Sequence, residues 1–582
     1  MAVRVVETAS MGRSLCVCKP GGVKAGEILL TVKESHDKIG VLLDSLLVDG
    51  TFCGSCLRDR PWGATDLQLC QSCGAVYLCS GCRKQKDPLH NSVECQAHKQ
   101  LFKGGSVLRS VDGGPDDTTK VRILVRILSH PARPSMKTFR AGLMNLEEHF
   151  SKETVAVQDE LVSIAKQALA LVGDKRAGES GTVTTWALVA ARFRANEMMV
   201  SIPWRWTGAA VMNLGNLNVG VGLFTMASYC NHSCNPNAHY LFDAGPNFVL
   251  RATKSIPEGE HVYITYESLY ASSAHRKPEL ESVYHFVCNC PRCRLEEDGG
   301  SRFGELIEGL VCPDAACGSA LLTPRYESSD ISGWQCGRCM QGYDLERSAH
   351  GRVMAGMYGA QMEAMELFNG QGGGGSATTS NKAKKKCAKL AWKSIQGGRP
   401  LQFQKEIESC LHPHHSLRYA MRIMKVGISH SRNDHRNVVE WARRAIKHLN
   451  AASFDGEFDR WTAELGVLAT FHSGMLEETT EKGEEAWRND TANALMKLKK
   501  FYGETNIAYT EQCLFFYYCD NENAWKKKNM AIHFNRTSPS KGSKRTRFEG
   551  ERGQHGKRDG QHSKKQKRRR GRRGGEHHPH RR

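Results

Sequence analysis

A chain of 582 residues, 40% hydrophobic and 24% charged, is too long for one core, so two to four domains are expected. No stretch approaches the roughly 20 apolar residues of a membrane span, and Met1 to Leu15 holds no apolar run of signal-peptide length, so a membrane-embedded or secretory class is not expected. The net charge of +20 is uneven: residues 536–582 hold 18 Lys/Arg against 4 Asp/Glu, or +14, which leaves the preceding body at about +6.

In chain order, Gly12 to Val32 reads as a strand, a tight turn at Lys24-Ala25-Gly26-Glu27, and a second strand Ile28-Leu29-Leu30-Thr31-Val32. The device returns at Ile256-Pro257-Glu258-Gly259-Glu260, between the expected strands Phe248 to Ala252 and His261 to Tyr266. The two stretches are expected to share one β-rich domain that the intervening residues interrupt. The interruption is a cysteine cluster over 53–98 and a largely helical stretch over 119–200, where Leu161, Ile164, Ala165, Ala168, Leu169 and Val172 recur at helical spacing. That periodicity signifies packing. After Cys293 an acidic connector, Glu296 to Gly300, leads to a further cysteine cluster, and Gly370 to Ser380 reads as a flexible linker. Cys387 to Asn535 is again helical in pattern, with Val438, Trp441, Ala442, Ala445 and Leu449 on one stripe and paired antiparallel helices expected. The tail carries Lys564-Lys565-Gln566-Lys567-Arg568-Arg569-Arg570 among Gly, His and Ser, a composition of disorder. It suits nuclear import, contact with phosphates, or plain solubility.

Fifteen of the 22 cysteines fall in three compact clusters, and the chain is expected in a reducing compartment, where Cys-x2-Cys pairs bind metal more often than they form disulfides. The first cluster, Cys53, Cys56, Cys70, Cys73, Cys79, Cys82, His90 and Cys95, supplies eight N/S ligands, enough for two tetrahedral zinc sites. His98 can replace His90 in that set. Cys234 stands alone until Cys288, Cys290 and Cys293, which complete a four-thiolate site with it. Cys312, Cys317, Cys336 and Cys339, with Gly318 and Gly337 at the knuckles, read as a zinc ribbon, so about four ions per chain are expected. All-thiolate ligation with no open position indicates structural zinc. Cys16, Cys18, Cys230, Cys387, Cys410, Cys513 and Cys519 read as ordinary thiols.

Tyr266 closes an alternating Val262/Ile264/Tyr266 face, which by itself describes a core residue. Its setting changes that reading. The run Asn231-His232-Ser233-Cys234, then Tyr266, then Cys288-x-Cys290-x2-Cys293 resembles a SET-domain protein methyltransferase, and the first cluster resembles a MYND finger. Together they resemble the SET-and-MYND family of protein-lysine methyltransferases over roughly residues 3–340, and over 387–535 by helical character. Two spacings depart from the finger's usual pattern: the third pair is x2 and the last x4, where x3 is usual.

The resemblance implies an α+β multidomain chain. It comprises a SET N-terminal part over 1–52, a MYND-type finger over 53–98, a helical SET insert over 99–200, a SET core over 201–270 and a post-SET zinc segment over 271–298. A ribbon over 305–345, a linker over 370–384, a helical C-terminal domain over 385–535 and a disordered basic tail over 536–582 follow. It further implies interleaved finger ligands, with Cys53, Cys56, Cys79 and Cys82 on one ion and Cys70, Cys73, His90 and Cys95 on the other. Tyr266 becomes the catalytic tyrosine and Tyr284 an aromatic of the lysine channel. S-adenosyl-L-methionine would be met by Gly12, Arg13, Ser14 and Leu15, by Asn231, His232 and Tyr266, by Phe286 beneath the adenine, and by Asn213 or Asn216. The substrate would be a histone or non-histone protein lysine, in nucleus and cytoplasm. Proline-rich peptides at the finger and nucleic acid at the tail are further expected partners. The rival reading is a non-catalytic adaptor built on the same folds.

Overall fold

The computed structural model describes residues 2–9, 11–32, 38–43, 50–58, 67–85, 89–102, 117–129, 134–173, 181–203, 216–243, 247–299, 301, 303–317, 321–327, 330–345, 348–368, 382–395, 401–432, 434–450, 457–474, 476 and 481–502. The expected basic tail, Asn213, Gly318 and most of the expected linker lie outside the described residues, as does the C-terminal domain beyond 502. The described residues all fall in one compact unit.

Strands on either side of the first cysteine cluster share sheets. The strands are β1 (Val3–Thr8), β2 (Gly12–Val17), β3 (Ile28–Val32), β4 (Lys38–Leu42), β5 (Gln68–Leu69), β6 (Tyr77–Leu78), β7 (Met198–Pro203), β8 (Asn216–Phe224), β9 (Asn231–His232), β10 (Ala238–Asp243), β11 (Asn247–Ala252) and β12 (Tyr263–Ile264). β3 pairs antiparallel with β11, and β4 with β8, so the chain leaves the β domain after β4 and re-enters it at β7. The two glycine turns meet as well: Val23 and Ile256 exchange both backbone hydrogen bonds at 2.9 Å. Phe224, Phe242 and Phe248 pack with ring centroids 5.3–5.9 Å apart in the core beneath.

Three amphipathic helices, Asp117–Leu128, Val155–Val172 and Val183–Asn196, cover the opposite face of β4 and β8, burying Ile39, Val41, Val221 and Leu223. In Val155–Val172 the buried residues are Leu161, Ile164, Ala165, Ala168, Leu169 and Val172, one stripe of a 3.6-residue period. Helix ends at Asn196, short of 200, because Met198–Val200 find strand partners in β8.

The cysteine-rich module seats itself where side chains are missing. Gly40 and Gly220 expose bare backbone on β4 and β8, and Leu57, buried just after Cys56 with φ +57°, fills the space. A Cβ on Gly220 would stand 2.2 Å from the Val41 carbonyl and 2.9 Å from Leu57 Cδ2. Arg126 closes the junction, donating to the carbonyls of Gly40 and Gly54 and to the Glu94 carboxylate at 2.8 Å.

Beyond the β domain, a four-stranded sheet of β13 (Leu310–Val311), β14 (Leu321–Glu327), β15 (Asp330–Cys336) and β16 (Gly342–Tyr343) packs Leu322 and Trp334 into one core with helices Ala349–Phe368, Leu401–Cys410 and Ser416–Ser431. The ribbon is therefore walled into the helical region. Helices Ser416–Ser431, His435–Asn450, Glu457–Gly474 and Glu481–Tyr502 then pack consecutively. In His435–Asn450 the apolar stripe holds Val438, Ala442, Ala445 and Leu449, while Trp441 lies half-buried under the Lys425 ammonium, 3.9 Å from its ring centroid. The last helix returns to the β domain, where Phe501 reaches His239 of β10 at 5.9 Å.

Gly220→Ala is expected to cost roughly 3 kcal/mol, because the collision is with backbone and cannot relax through a rotamer. Gly466→Ala, in helix Glu457–Gly474 with open space around it, is expected to stabilise by about 1 kcal/mol. Thermal and denaturant unfolding of the two variants beside wild type checks the contrast in sign.

Candidate active site and metal centres

The site forms where the chain passes beside itself. β9 and β12 run parallel, Asn231 against Tyr263 and His232 against Ile264, and Ser233 N–H continues the ladder to the Ile264 carbonyl at 2.9 Å. Asn237 locks the crossing from behind: its amide donates to the His261 carbonyl at 2.9 Å and its oxygen accepts from Tyr263 N–H at 2.8 Å. Sequence reading passed over Asn237. Its one signal is a buried-side amide closing the Asn235-Pro236-Asn237 turn, and such amides satisfy loop backbone groups that a ladder cannot.

The crossing is shorter than the expected strand from His261 to Tyr266. Thr265 turns its hydroxyl to the Glu267 carbonyl, and Tyr266 N–H donates to His232 Nδ1 at 2.9 Å instead of to a strand carbonyl. Tyr266 thus sits two residues beyond β12, pinned by a side chain. Its phenol donates to the Cys230 carbonyl at 2.6 Å, and its ring lies 4.7 Å from Tyr284 and 5.3 Å from His232. Burial pushes both phenols above their ordinary range, so they stay protonated at neutral pH. Burial also lowers His232 to about 4, which keeps its imidazole neutral.

The N-terminal loop faces this crossing. Asn231 Nδ2 lies 3.5 Å from the carbonyls of both Met11 and Arg13, and Ser14 Oγ lies 2.7 Å from His261 Nδ1. Arg13 sends its side chain elsewhere, to Glu147 at 3.2 Å and over the Tyr229 ring. Leu15 is buried and its carbonyl accepts from Val262 N–H. Gly12 adopts φ +61° with open space where a Cβ would stand, which leaves the loop backbone approachable. Phe286 places its ring 6.0 Å from His232. Gly12, Asn231, His232, Tyr266, Tyr284 and Phe286 therefore converge on one region; Asn216 opens β8, and of it only the backbone is described.

Four sets of four ligands come together, each with its ligand atoms within 4.8 Å of one another: Cys53, Cys56, Cys79 and Cys82; Cys70, Cys73, His90 and Cys95; Cys234, Cys288, Cys290 and Cys293; Cys312, Cys317, Cys336 and Cys339. Three all-thiolate sets and one of three thiolates with an imidazole are the donor chemistry of tetrahedral zinc. His90, not His98, joins the second set, with Nε2 3.7 Å from Cys73 Sγ, because the loop before helix Ser92–Leu101 turns it inward. His98 stacks on His90 at 5.4 Å with neither ring nitrogen hydrogen-bonded, and burial holds it neutral. That helix crosses residue 98, so the expected border between cysteine module and helical region falls inside one element. Cys339 is the exposed member of the ribbon set.

Residues 97–267 match the SET domain model. The chain is 27% identical over 252 residues to the mouse histone-lysine N-methyltransferase SMYD3, covering 43% of this chain and 53% of that one. It is 24% identical over 345 residues to the Arabidopsis thaliana histone-lysine N-methyltransferase ASHR1, with 56% and 62% covered. A SET and MYND domain-containing protein of Dictyostelium discoideum is 22% identical over 327 residues, 51% of this chain and 83% of that one. The chain thus carries a SET domain. Within that class it is SMYD-like, and it spans about half the length of the SMYD3 relative it matches.

His90→Ala is expected to remove one of about four bound zinc ions, whereas His98→Leu leaves the count unchanged. Plasma mass spectrometry on metal-replete protein separates the two.

Proposed function

We propose that the chain is an S-adenosyl-L-methionine-dependent protein-lysine N-methyltransferase acting on histone or non-histone lysines. One observation carries the reading: beside the crossing of β9 and β12 the Tyr266 phenol meets Tyr284 and the Cys230 carbonyl, and the next residue, Asn231, turns its amide to the Met11 and Arg13 carbonyls of the Gly12 loop. Its SET match and SMYD-like relatives support the same assignment.

Free lysine ionises near pH 10.4, and the transferring amine must be neutral, so the channel must desolvate it and aim its lone pair. Tyr284 and Tyr266 pack against each other, ring centroids 4.7 Å apart, and together offer one aromatic wall to the lysine stem. The Tyr266 hydroxyl, held by the Cys230 carbonyl, and that carbonyl itself orient the amine without taking a full charge. Bound S-adenosyl-L-methionine supplies an electrophilic methyl on a sulfonium. Asn231, together with the carbonyls of Met11 and Arg13, would hold polar groups of the cofactor, and Phe286 would offer a face to its adenine. The open backbone at Gly12 fits that role.

In the same reading the first two ligand sets make a MYND-type finger inserted into the SET fold, the third pins the post-SET segment, and the fourth is an architectural ribbon, with about four zinc ions in all. The finger is assigned proline-rich peptides, the tail nuclear import or nucleic acid, and the chain nucleus and cytoplasm. Tyr266→Phe is expected to lower methyl transfer on the order of 100-fold or more while the fold persists. A radiolabelled-methyl assay on histones and lysate, with wild type alongside, decides the matter. Equal absence of transfer in both would assign the chain to the adaptor class.

A further inference from the structure

Two side chains donate to one sulfur at the edge of the site. Arg276, fully buried on helix Ser273–Tyr284, places Nε 3.1 Å from Cys234 Sγ and Nη2 3.5 Å from Cys293 Sγ. His232 places Nε2 3.2 Å from the same Cys234 sulfur. The tautomer of His232 is set from its other side, because Tyr266 N–H donates to Nδ1. Nδ1 is therefore the acceptor, Nε2 carries the hydrogen, and the imidazole links the Tyr266 backbone to the metal-ligand sulfur. Arg276 is itself fixed by the Ala271 carbonyl and by Glu296 at 3.3 Å.

We propose that Arg276 is a positioning residue that would neutralise the Cys234 thiolate of the zinc-loaded site, so that the sulfur, His232 and the Tyr266 backbone form one connected run of contacts. Four thiolates around one divalent ion carry a net charge of −2, which is costly in a buried site unless cations or donors face the sulfurs. A guanidinium supplies both charge and two N–H groups in fixed geometry. Arg292 reinforces the loop by donating to the Cys234 carbonyl at 3.2 Å. A helix-packing role alone would make Arg276 a spacer, and any side chain of its bulk would serve.

The inference rests on the methyltransferase reading for its rate readout, and its metal readouts stand without it. The test compares full-length wild type, Arg276→Met and Arg276→Lys. Arg276→Met is expected to release one zinc to a chromogenic chelator roughly 10–100-fold faster and to lower kcat by a similar factor, with KM for peptide changed less than about threefold. In cobalt-substituted protein the thiolate-to-metal charge-transfer band should move to longer wavelength, since a sulfur that loses a donor holds its lone pairs less tightly. Arg276→Lys, which keeps the charge, should recover much of all three. Wild-type band position, zinc release and kcat in Arg276→Met would overturn the proposal, as would equal impairment in Met and Lys variants. Should Arg276→Met fail to fold, the lysine variant decides alone: a partial band shift supports the contact and an unshifted band refutes it. If wild type transfers no methyl group, the enzyme reading falls while zinc release and the cobalt band still judge Arg276.

Discussion

The structure depends on one short contact, the parallel pairing of Asn231–His232 with Tyr263–Ile264. Parallel pairing of two-residue strands contributes little by itself, and a loop of about thirty residues must close to form it. The pairing persists because it is fastened at both ends. Asn237 holds Tyr263 and His261 on one side, and the Tyr266 N–H to His232 bond holds the other. Asn231, His232 and Tyr266, three of the groups expected to meet cofactor and lysine, lie on or just beyond this crossing, so a slip of one position would turn Tyr266 away from Tyr284.

The modules around the crossing are too small to carry large cores, and the chain compensates with sulfur. Cys53, Cys73, Cys82 and Cys95 are counted among the residues of the main β core together with Phe52, Leu57 and Val76. The set of Cys234, Cys288, Cys290 and Cys293 forms a small core of its own with Leu280, Tyr266, Tyr284 and Phe286 packed on it. The candidate metal ligands here sit against the aromatic rings of the site, so loss of a metal cross-link would free the wall of the proposed lysine channel as well as the segment that carries it.

Sequence legibility followed the strength of the local constraint. Metal ligation demands particular residue types at short spacing, and all four expected groups are brought together by the fold, with His90 chosen over His98 by the turn before its helix. Helical stripes were readable because a period of 3.6 shows in any window, as in Val155–Val172. The pairing of β3 with β11 showed only through matching glycine turns, a weaker mark. What stayed hidden was non-local. Gly220 reads as an ordinary strand glycine until Leu57, over 160 positions earlier, needs its empty side, and Asn237 reads as a turn residue until Tyr263 and His261 arrive. The truncated β12 was also unreadable, since it ends when a histidine nitrogen takes the amide that a strand would have used.

Buried arginines mark the seams between modules. Arg126 ties the cysteine-rich module at Gly54 and Glu94 to β4 at Gly40, and Arg122, on the same helix, donates to the Leu42 carbonyl. Arg276 and Arg292 converge on Glu296 and the Cys234 loop. Burying a guanidinium is expensive, yet loop and strand-end carbonyls at a seam also need donors that no ladder supplies. One arginine with five N–H groups meets several such carbonyls at once, and the carboxylate beside it balances the charge. A lysine offers no planar fork and an apolar residue leaves the carbonyls unsatisfied, so the arginine admits only one register between the parts it joins. Geometry at the Tyr266 site therefore follows from how the modules are keyed together as much as from the strands that carry it.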